Sequence, residues 1–75
     1  MIRLALLGTG RIGKLHAEII NSHPYSKITY VYDIDTKSSK EIAKKYHCKI
    51  AKTAKEAISS SDVDAILIAS ATPTH

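Results

Sequence analysis

The glycine-rich segment near the start of this 75-residue chain constrains its fold more than any other feature. It follows residues 2–7, an almost unbroken apolar run that is typical of a strand buried on both faces of a parallel sheet. After it, Ile12, Leu15, His16, Ile19 and Ile20 fall at helical spacing and predict a helix over residues 11–22. Gly8, Gly10 and Gly13 join the two segments in the spacing G-x-G-x-x-G. A strand, such a turn and a helix in this order indicate a phosphate-binding turn.

The rest of the chain continues this alternation of strands and helices. Residues 27–32 are β-branched and aromatic, as strands often are. Either Asp35 or Thr36 caps a helix that runs to about Tyr46, with Ile42, Ala43 and Tyr46 facing inward. The stretch Thr53-Ala-Lys-Glu56 matches a capping box and opens a third, short helix. The predicted strands are 2–7, 27–32, 49–51 and 65–69, the predicted helices are 11–22, 35–46 and 53–59, and 70–75 is a loop.

Strands separated by helices are joined by right-handed crossovers and lie parallel. The sequence therefore predicts an α/β fold with a Rossmann-type parallel sheet of four strands in the order 3-2-1-4, together with three helices. This is half of a doubly wound nucleotide-binding sheet. A length of 75 residues allows one small domain.

Each glycine of the motif has its own physical role. Gly8 allows a tight exit from the strand, Gly10 lets the backbone approach a pyrophosphate, and Gly13 lets the helix pack closely on the sheet. The phosphates then meet free N–H groups at the positive end of the helix dipole. Arg11 fits two interpretations equally well, a contact with the pyrophosphate and a position facing solvent.

An acidic residue stands where a dinucleotide site needs one. Asp33 lies 20 residues after Gly13, at the end of the second predicted strand. Its carboxylate would accept hydrogen bonds from the adenosine ribose hydroxyls and would repel a 2′-phosphate. The pattern therefore predicts NAD in preference to NADP, with Lys37 as the cation that would partly offset Asp33 if NADP were used.

Charge and composition argue against several other classes of protein. Seven lysines and one acid, Glu41, lie between Lys37 and Lys55. No aromatic stacking pair accompanies them, so a solvated helix face is favoured over a nucleic-acid interface. The apolar run 65–69 is far too short to span a membrane. The histidines are scattered and have no metal-ligand spacing.

The single cysteine, Cys48, has no partner for an internal disulfide. It is interpreted as a small apolar residue near the third strand, and the cysteine count favours a reducing, cytoplasmic compartment.

Three stretches carry a resemblance to a known family. They are Gly8-Thr-Gly-Arg-Ile-Gly-Lys-Leu-His16, Tyr32-Asp-Ile-Asp35, and Asp64 to His75 with its ending Ala-Thr-Pro-Thr-His. On these stretches the whole chain resembles the amino-terminal part of the Gfo/Idh/MocA oxidoreductases, and within that family the inositol 2-dehydrogenases.

The resemblance implies hydride transfer between a nicotinamide cofactor and a polyol or sugar such as myo-inositol. It implies that the glycine-rich loop holds the pyrophosphate, that Asp33 and Ile34 hold the adenosine end, and that the tail borders the dinucleotide towards its nicotinamide half. The implied cofactor-binding residues are Gly8, Thr9, Gly10, Arg11, Ile12, Gly13, Asp33, Ile34, Ser70, Ala71, Thr72, Pro73 and His75.

The same resemblance implies that parts of the enzyme lie outside this sequence. In the family a Glu-Lys-Pro motif with a catalytic lysine follows the next strand, and a separate sheet domain supplies the substrate pocket. We therefore expect residues 1–75 to be a partial dinucleotide-binding domain that is inactive alone, with no catalytic residue of its own. The apolar edge of strand 65–69 is expected to pair with a second copy of the chain.

Three alternatives to an oxidoreductase remain open from the sequence. The first is a non-catalytic nucleotide-sensing module on the same fold, and the second is a basic nucleic-acid-binding domain. The third is a methyltransferase with a related glycine-rich turn, against which the Thr-Pro-Thr-His ending argues.

Overall fold

Backbone pairing in the computed structural model, which describes residues 1–69, joins four strands side by side in one parallel sheet of order β3-β2-β1-β4. The strands are β1 (Ile2–Leu7), β2 (Ser26–Tyr32), β3 (Lys49–Ile50) and β4 (Ala65–Ile68), and the helices are α1 (Arg11–Ser22), α2 (Thr36–Tyr46) and α3 (Ala54–Ser59). The predicted fold class, strand order and helix number are confirmed.

The two faces of the sheet carry separate cores because successive strand residues point to opposite sides. On one face, Leu6 of β1 packs with Val31 of β2 and with Ala17, Ile20 and Ile42 of α1 and α2. On the other, Ala5 packs with Ala51 and with Ala57 of α3. Helices on both faces explain why β1 is apolar from Leu4 to Leu7.

A β-bulge in β2 shifts its register against β1. Leu4 pairs with Ile28, whereas the next residue, Ala5, pairs with Tyr30, so Thr29 has no partner in the ladder. The Thr29 hydroxyl donates hydrogen bonds to the carbonyl oxygens of Leu4 and Asp62, at 3.4 and 3.1 Å. The bulge sets which face each later residue of β2 occupies.

The buried face of α1 differs from the one that apolar spacing predicts. Helical periodicity places Ile12, Leu15 and Ile19 among the inward residues, yet each is about half exposed. Of the apolar residues at helical spacing only Ile20 is buried, and it is joined by Gly13 and Ala17. Small residues at the contact let α1 lie close to the sheet, and this close packing leaves the larger side chains on its flank. In contrast, Ile42, Ala43 and Tyr46 of α2 pack inward, as predicted.

Side-chain caps fix the starts of the two later helices. Of the two predicted candidates, Asp35 and Thr36, the N-cap of α2 is Asp35. Its carboxylate accepts hydrogen bonds from the amides of Lys37 and Ser38. Thr53 caps α3 by accepting from the Glu56 amide at 3.1 Å. The Glu56 carboxylate reaches back to the Lys52 amide, one residue earlier than in a standard capping box.

An exposed ion pair ties the beginnings of β1 and β4 together. The Arg3 guanidinium donates two hydrogen bonds of 3.0 Å to the Asp64 carboxylate, and the Arg3 amide donates another of 2.9 Å. These bonds lower the pKa of Asp64 to about 2 and raise the pKa of Arg3. Elsewhere, Cys48 is half-buried beside the α1 and α2 core, and burial raises its thiol pKa to about 11.

Candidate functional site

The carboxyl ends of β1, β2 and β4 meet around a cavity of about 250 Å³. In parallel α/β sheets, ligands bind outside this end of the strands. Larger hollows of about 350 and 660 Å³ lie at the opposite end of the sheet and between α1 and α2, and neither is lined by Gly8 or Asp33. The lining residues of the smaller cavity are Leu7, Gly8, Tyr32, Asp33, Ile34, Ala54 and Ile68.

Two glycines of the loop have geometries that a larger residue would disturb. Gly8 has a φ of 105°, a conformation that L-residues rarely adopt, and its amide donates to the Tyr32 carbonyl at 2.8 Å. A Cβ on Gly13 would overlap the Gly8 carbonyl oxygen, so this helix position must be glycine for α1 to pack here.

Gly10 lies in open surroundings. A Cβ built on it meets no atom of the described protein within 4 Å. Packing within residues 1–69 therefore gives no reason for glycine at this position. A ligand that lies against the backbone does give such a reason.

The first turn of α1 has unpaired amide groups directed at the loop. Its N-cap is Gly10, without a side-chain cap, and its first turn contains no acidic residue. Helices α2 and α3, by contrast, each have a capping side chain. Free N–H groups at the positive end of the helix dipole form a favourable position for a phosphate.

Asp33 follows β2 directly and is held from both of its carboxylate oxygens. Oδ2 accepts hydrogen bonds from the Thr9 amide at 2.6 Å and the Thr9 hydroxyl at 3.1 Å. Oδ1 accepts one from the Asp35 amide at 2.8 Å. Partial burial raises the pKa of Asp33, but the donors from Thr9, Asp35 and Ile34 outweigh it and hold the pKa below its usual value. The carboxylate is therefore ionised near neutral pH.

The remaining walls of the cavity are mostly apolar. Ile34 is 89% exposed, more than any other large hydrophobic residue of the described chain, and it stands next to the acid. Tyr32 and Ile68 line the same hollow. An ionised carboxylate beside apolar walls suits a ligand that combines a flat apolar ring with hydroxyl groups.

The structure brings some of the predicted site residues together and leaves others apart. Gly8, Asp33 and Ile34 share the cavity, and Thr9 lies fully buried behind Asp33. Arg11 and Ile12 are exposed on the first turn of α1. The predicted residues Ser70, Ala71, Thr72, Pro73 and His75 lie outside the described residues.

Four of the lining residues are not among the predicted cofactor-binding residues. Leu7, Tyr32 and Ile68 are each the last residue of a strand, and Ala54 is the first of α3. Strand ends on one edge of a predicted parallel sheet are the signal that could have pointed to the first three.

Other types of site receive no support from the described part of the chain. No group of three His, Cys, Asp or Glu side chains is placed to hold a metal ion among residues 1–69. Within the same residues, no helix has the length and apolar character needed to cross a membrane.

Comparison with known proteins agrees with this geometry. Residues 2–75 match the model of the oxidoreductase family with an NAD-binding Rossmann fold. The chain belongs to the Gfo/Idh/MocA family. The predicted family is thus confirmed, and NAD is the cofactor of the matched domain type.

Individual Gfo/Idh/MocA relatives are similar over nearly all of the chain. Inositol 2-dehydrogenase of Rhizobium meliloti (strain 1021) is 34% identical over 74 residues, which are 99% of this chain and 22% of that protein. A solved structure from Sinorhizobium meliloti 1021, provisionally assigned as a myo-inositol dehydrogenase, has 33% identity and a TM-score of 0.91, covering 100% of this chain and 22% of that one.

A second solved structure comes from a complex with NAD. GenD2, from gentamicin A biosynthesis, has 25% identity and a TM-score of 0.86, covering 92% of this chain and 20% of that one. The chain thus spans about a fifth of the length of these relatives.

Proposed function

We propose that this chain binds NAD and forms the amino-terminal cofactor-binding part of a dehydrogenase that acts on a polyol or sugar such as myo-inositol. The cofactor accepts or donates the hydride in such a reaction. One observation carries the proposal: three features lie together at one edge of the sheet. They are the N-terminus of α1 without a side-chain cap, the open space around the Gly10 backbone, and the ionised Asp33. The names of the inositol dehydrogenase relatives support the substrate class.

The described residues fit the parts of a dinucleotide. The first amides of α1 suit the pyrophosphate, and Gly10 leaves room for it. The free lone pairs of the Asp33 carboxylate suit the ribose hydroxyls, and the apolar wall beside Ile34 suits the adenine ring. The predicted roles of residues 70–73 and His75 towards the nicotinamide remain part of this proposal.

Hydride transfer itself is assigned to residues beyond this sequence. The proposal is that residues 1–75 hold the cofactor and that further parts of the protein hold the substrate against the nicotinamide. The share of about a fifth of the relatives' length supports this division. The chain alone should therefore turn over no substrate, and its single cysteine supports a reducing, cytoplasmic location.

An isotope-labelled NMR titration with NAD, NADP and S-adenosylmethionine tests the cofactor assignment. Shifts at Gly8 to Gly13 and at Asp33 and Ile34, larger with NAD than with NADP, are expected. Shifts at these residues with S-adenosylmethionine alone would contradict the dehydrogenase assignment. Saturable NAD binding by a full-length protein without dehydrogenase activity on any polyol would instead favour a nucleotide-sensing module.

The chain is also proposed to associate with a second copy of itself through β4. Within the described residues β4 pairs only with β1, so its other backbone edge is open. Ile66 and Ile68 are exposed on this strand. An open, apolar edge strand favours pairing with another chain. Nucleic acid and membranes are not among the proposed partners.

A further inference from the structure

The link between Thr9 and Asp33 joins the two halves of the proposed cofactor site. Thr9 stands in the glycine-rich loop, whereas Asp33 lies 24 residues later at the end of β2. The Thr9 amide and hydroxyl both donate to the same oxygen of Asp33, at 2.6 and 3.1 Å. A movement of the loop therefore moves the acid, and a rotation of the acid breaks two hydrogen bonds at once.

The surroundings of Thr9 make this link more than a surface contact. The residue is fully buried. Its hydroxyl thus has no water to replace Asp33, and an unpaired buried hydroxyl is unfavourable. The β-branched side chain also restricts χ1, which holds the hydroxyl in its donating position.

Asp33 keeps an uncompensated charge while it is held in place. No cationic side chain among residues 1–69 lies within ion-pair distance of it. Lys37 was the predicted cation that would offset the Asp33 charge if NADP were used. Its side chain is exposed, and its backbone amide donates a hydrogen bond to Asp35. The negative charge at the cavity is therefore supported by N–H and O–H donors alone.

We propose that Thr9 is a positioning residue that fixes the Asp33 carboxylate and thereby sets the preference of the site for NAD over NADP. The inference rests on the proposed function. The two bonds from Thr9 to Oδ2 act together with the Asp35 amide's bond to Oδ1, so the carboxylate cannot rotate away from a 2′-phosphate. Without the Thr9 hydroxyl, the carboxylate has more freedom to turn, so discrimination against the phosphate should fall.

Three variants of the chain test this role. Thr9→Val removes the hydroxyl and keeps the branched shape, whereas Thr9→Ser keeps the hydroxyl. Thr29→Val is the matched control, since Thr29 also donates through its hydroxyl but does not line the cavity. We expect Thr9→Val to weaken NAD binding about tenfold and to reduce the ratio of NAD to NADP affinity. The Thr9→Ser and Thr29→Val variants should keep the wild-type ratio.

A measurement without cofactor separates this inference from the proposed function. The titration midpoint of the Asp33 carboxyl, followed by ¹³C NMR, should rise in Thr9→Val and stay low in Thr9→Ser, because a hydrogen bond to the charged form is lost only in the first. If the wild-type chain binds neither dinucleotide, the proposed function fails. The Asp33 titration midpoints of the variants still test whether the Thr9 hydroxyl holds the carboxylate. An unchanged midpoint in Thr9→Val, or an unchanged affinity ratio, would overturn the inference.

Wild-type protein provides a test that needs no variant to fold. If Thr9→Val does not fold, the exchange rate of the Thr9 hydroxyl proton in the wild-type chain tests the hydrogen bond to Asp33. A hydrogen-bonded hydroxyl in a fully buried position should give a slowly exchanging resonance close to Asp33. A hydroxyl proton that exchanges with water as fast as that of exposed Thr36 would contradict the proposed link.

Discussion

At the scale of single residues, two glycines of one motif are required for different reasons. Gly13 is needed by the fold, because a Cβ there would overlap the Gly8 carbonyl oxygen. Gly10 has open space around the same position. The motif therefore combines one glycine that packing requires with one that packing within residues 1–69 does not require.

Alanine substitutions separate these two requirements. Gly13→Ala should lower the free energy of unfolding by about 1–3 kcal/mol, since backbone must move to relieve the overlap. Gly10→Ala should change it by less than about 1 kcal/mol and should still weaken NAD binding. Urea unfolding and the NMR titration measure the two effects. Full NAD affinity in Gly10→Ala would show that the ligand does not approach this backbone.

At the scale of the elements, the ion pair between Arg3 and Asp64 makes the joining of β1 and β4 depend on pH. The Asp64 pKa is about 2 in the folded chain, against an ordinary value of 3.8. A carboxyl with a lowered folded pKa contributes stability that is present above its unfolded pKa and is lost as pH falls through its folded one.

The free energy of unfolding should accordingly fall between about pH 4 and pH 2, and Asp64→Asn should flatten that part of the profile. Asp62→Asn is the control, because the ion pairs of the Asp62 carboxylate are long, at 3.9 Å to Arg3 and 3.8 Å to Lys49. Thermal unfolding at a series of pH values measures the effect. Equal profiles for wild type and Asp64→Asn would mean that the pair does not stabilise the fold.

The elements also show how far the sequence could predict this structure. The strands and helices could be predicted from local signals. Apolar runs, helical spacing of apolar residues and the caps at Asp35 and Thr53 each depend on only a few neighbouring residues. The buried face of α1 was predicted only in part, because Ile20 is buried as helical spacing suggests, whereas Ile12, Leu15 and Ile19 are half exposed and the small residues Gly13 and Ala17 take the close contact. Which residues lie closest in a helix–sheet contact depends on the partner surface, which helical periodicity does not describe.

In the candidate site, too, local features could be predicted from the sequence and distant contacts could not. The glycine-rich loop and Asp33 could be predicted because their spacing reflects the chemistry of a dinucleotide. The hydrogen bonds from Thr9 to Asp33 join residues 24 positions apart, and no local pattern shows such a contact. Strand propensity also could not predict the bulge at Thr29, which determines the face of the sheet on which later β2 residues lie.

At the scale of the whole molecule, the open edge of β4 predicts a mass that rises with concentration. Sedimentation equilibrium should show dimers, and Ile66→Lys should shift the chain towards monomer, because a lysine on an edge strand opposes pairing. Ile58→Lys is the matched control, since Ile58 is an exposed isoleucine on α3. A wild-type chain that stays monomeric at every concentration would show that self-association is wrong.

The central place of β1 has a consequence for the order in which the molecule assembles during synthesis. One side of β1 pairs with β2 soon after it in the chain, whereas the other side pairs with β4, and Asp64 follows Arg3 by 61 positions. At roughly 5–20 residues per second, a ribosome takes about 3–12 s to make that stretch. For that interval one flank of the earliest strand has no native neighbour, and it is the surface of the nascent chain most open to capture by a chaperone.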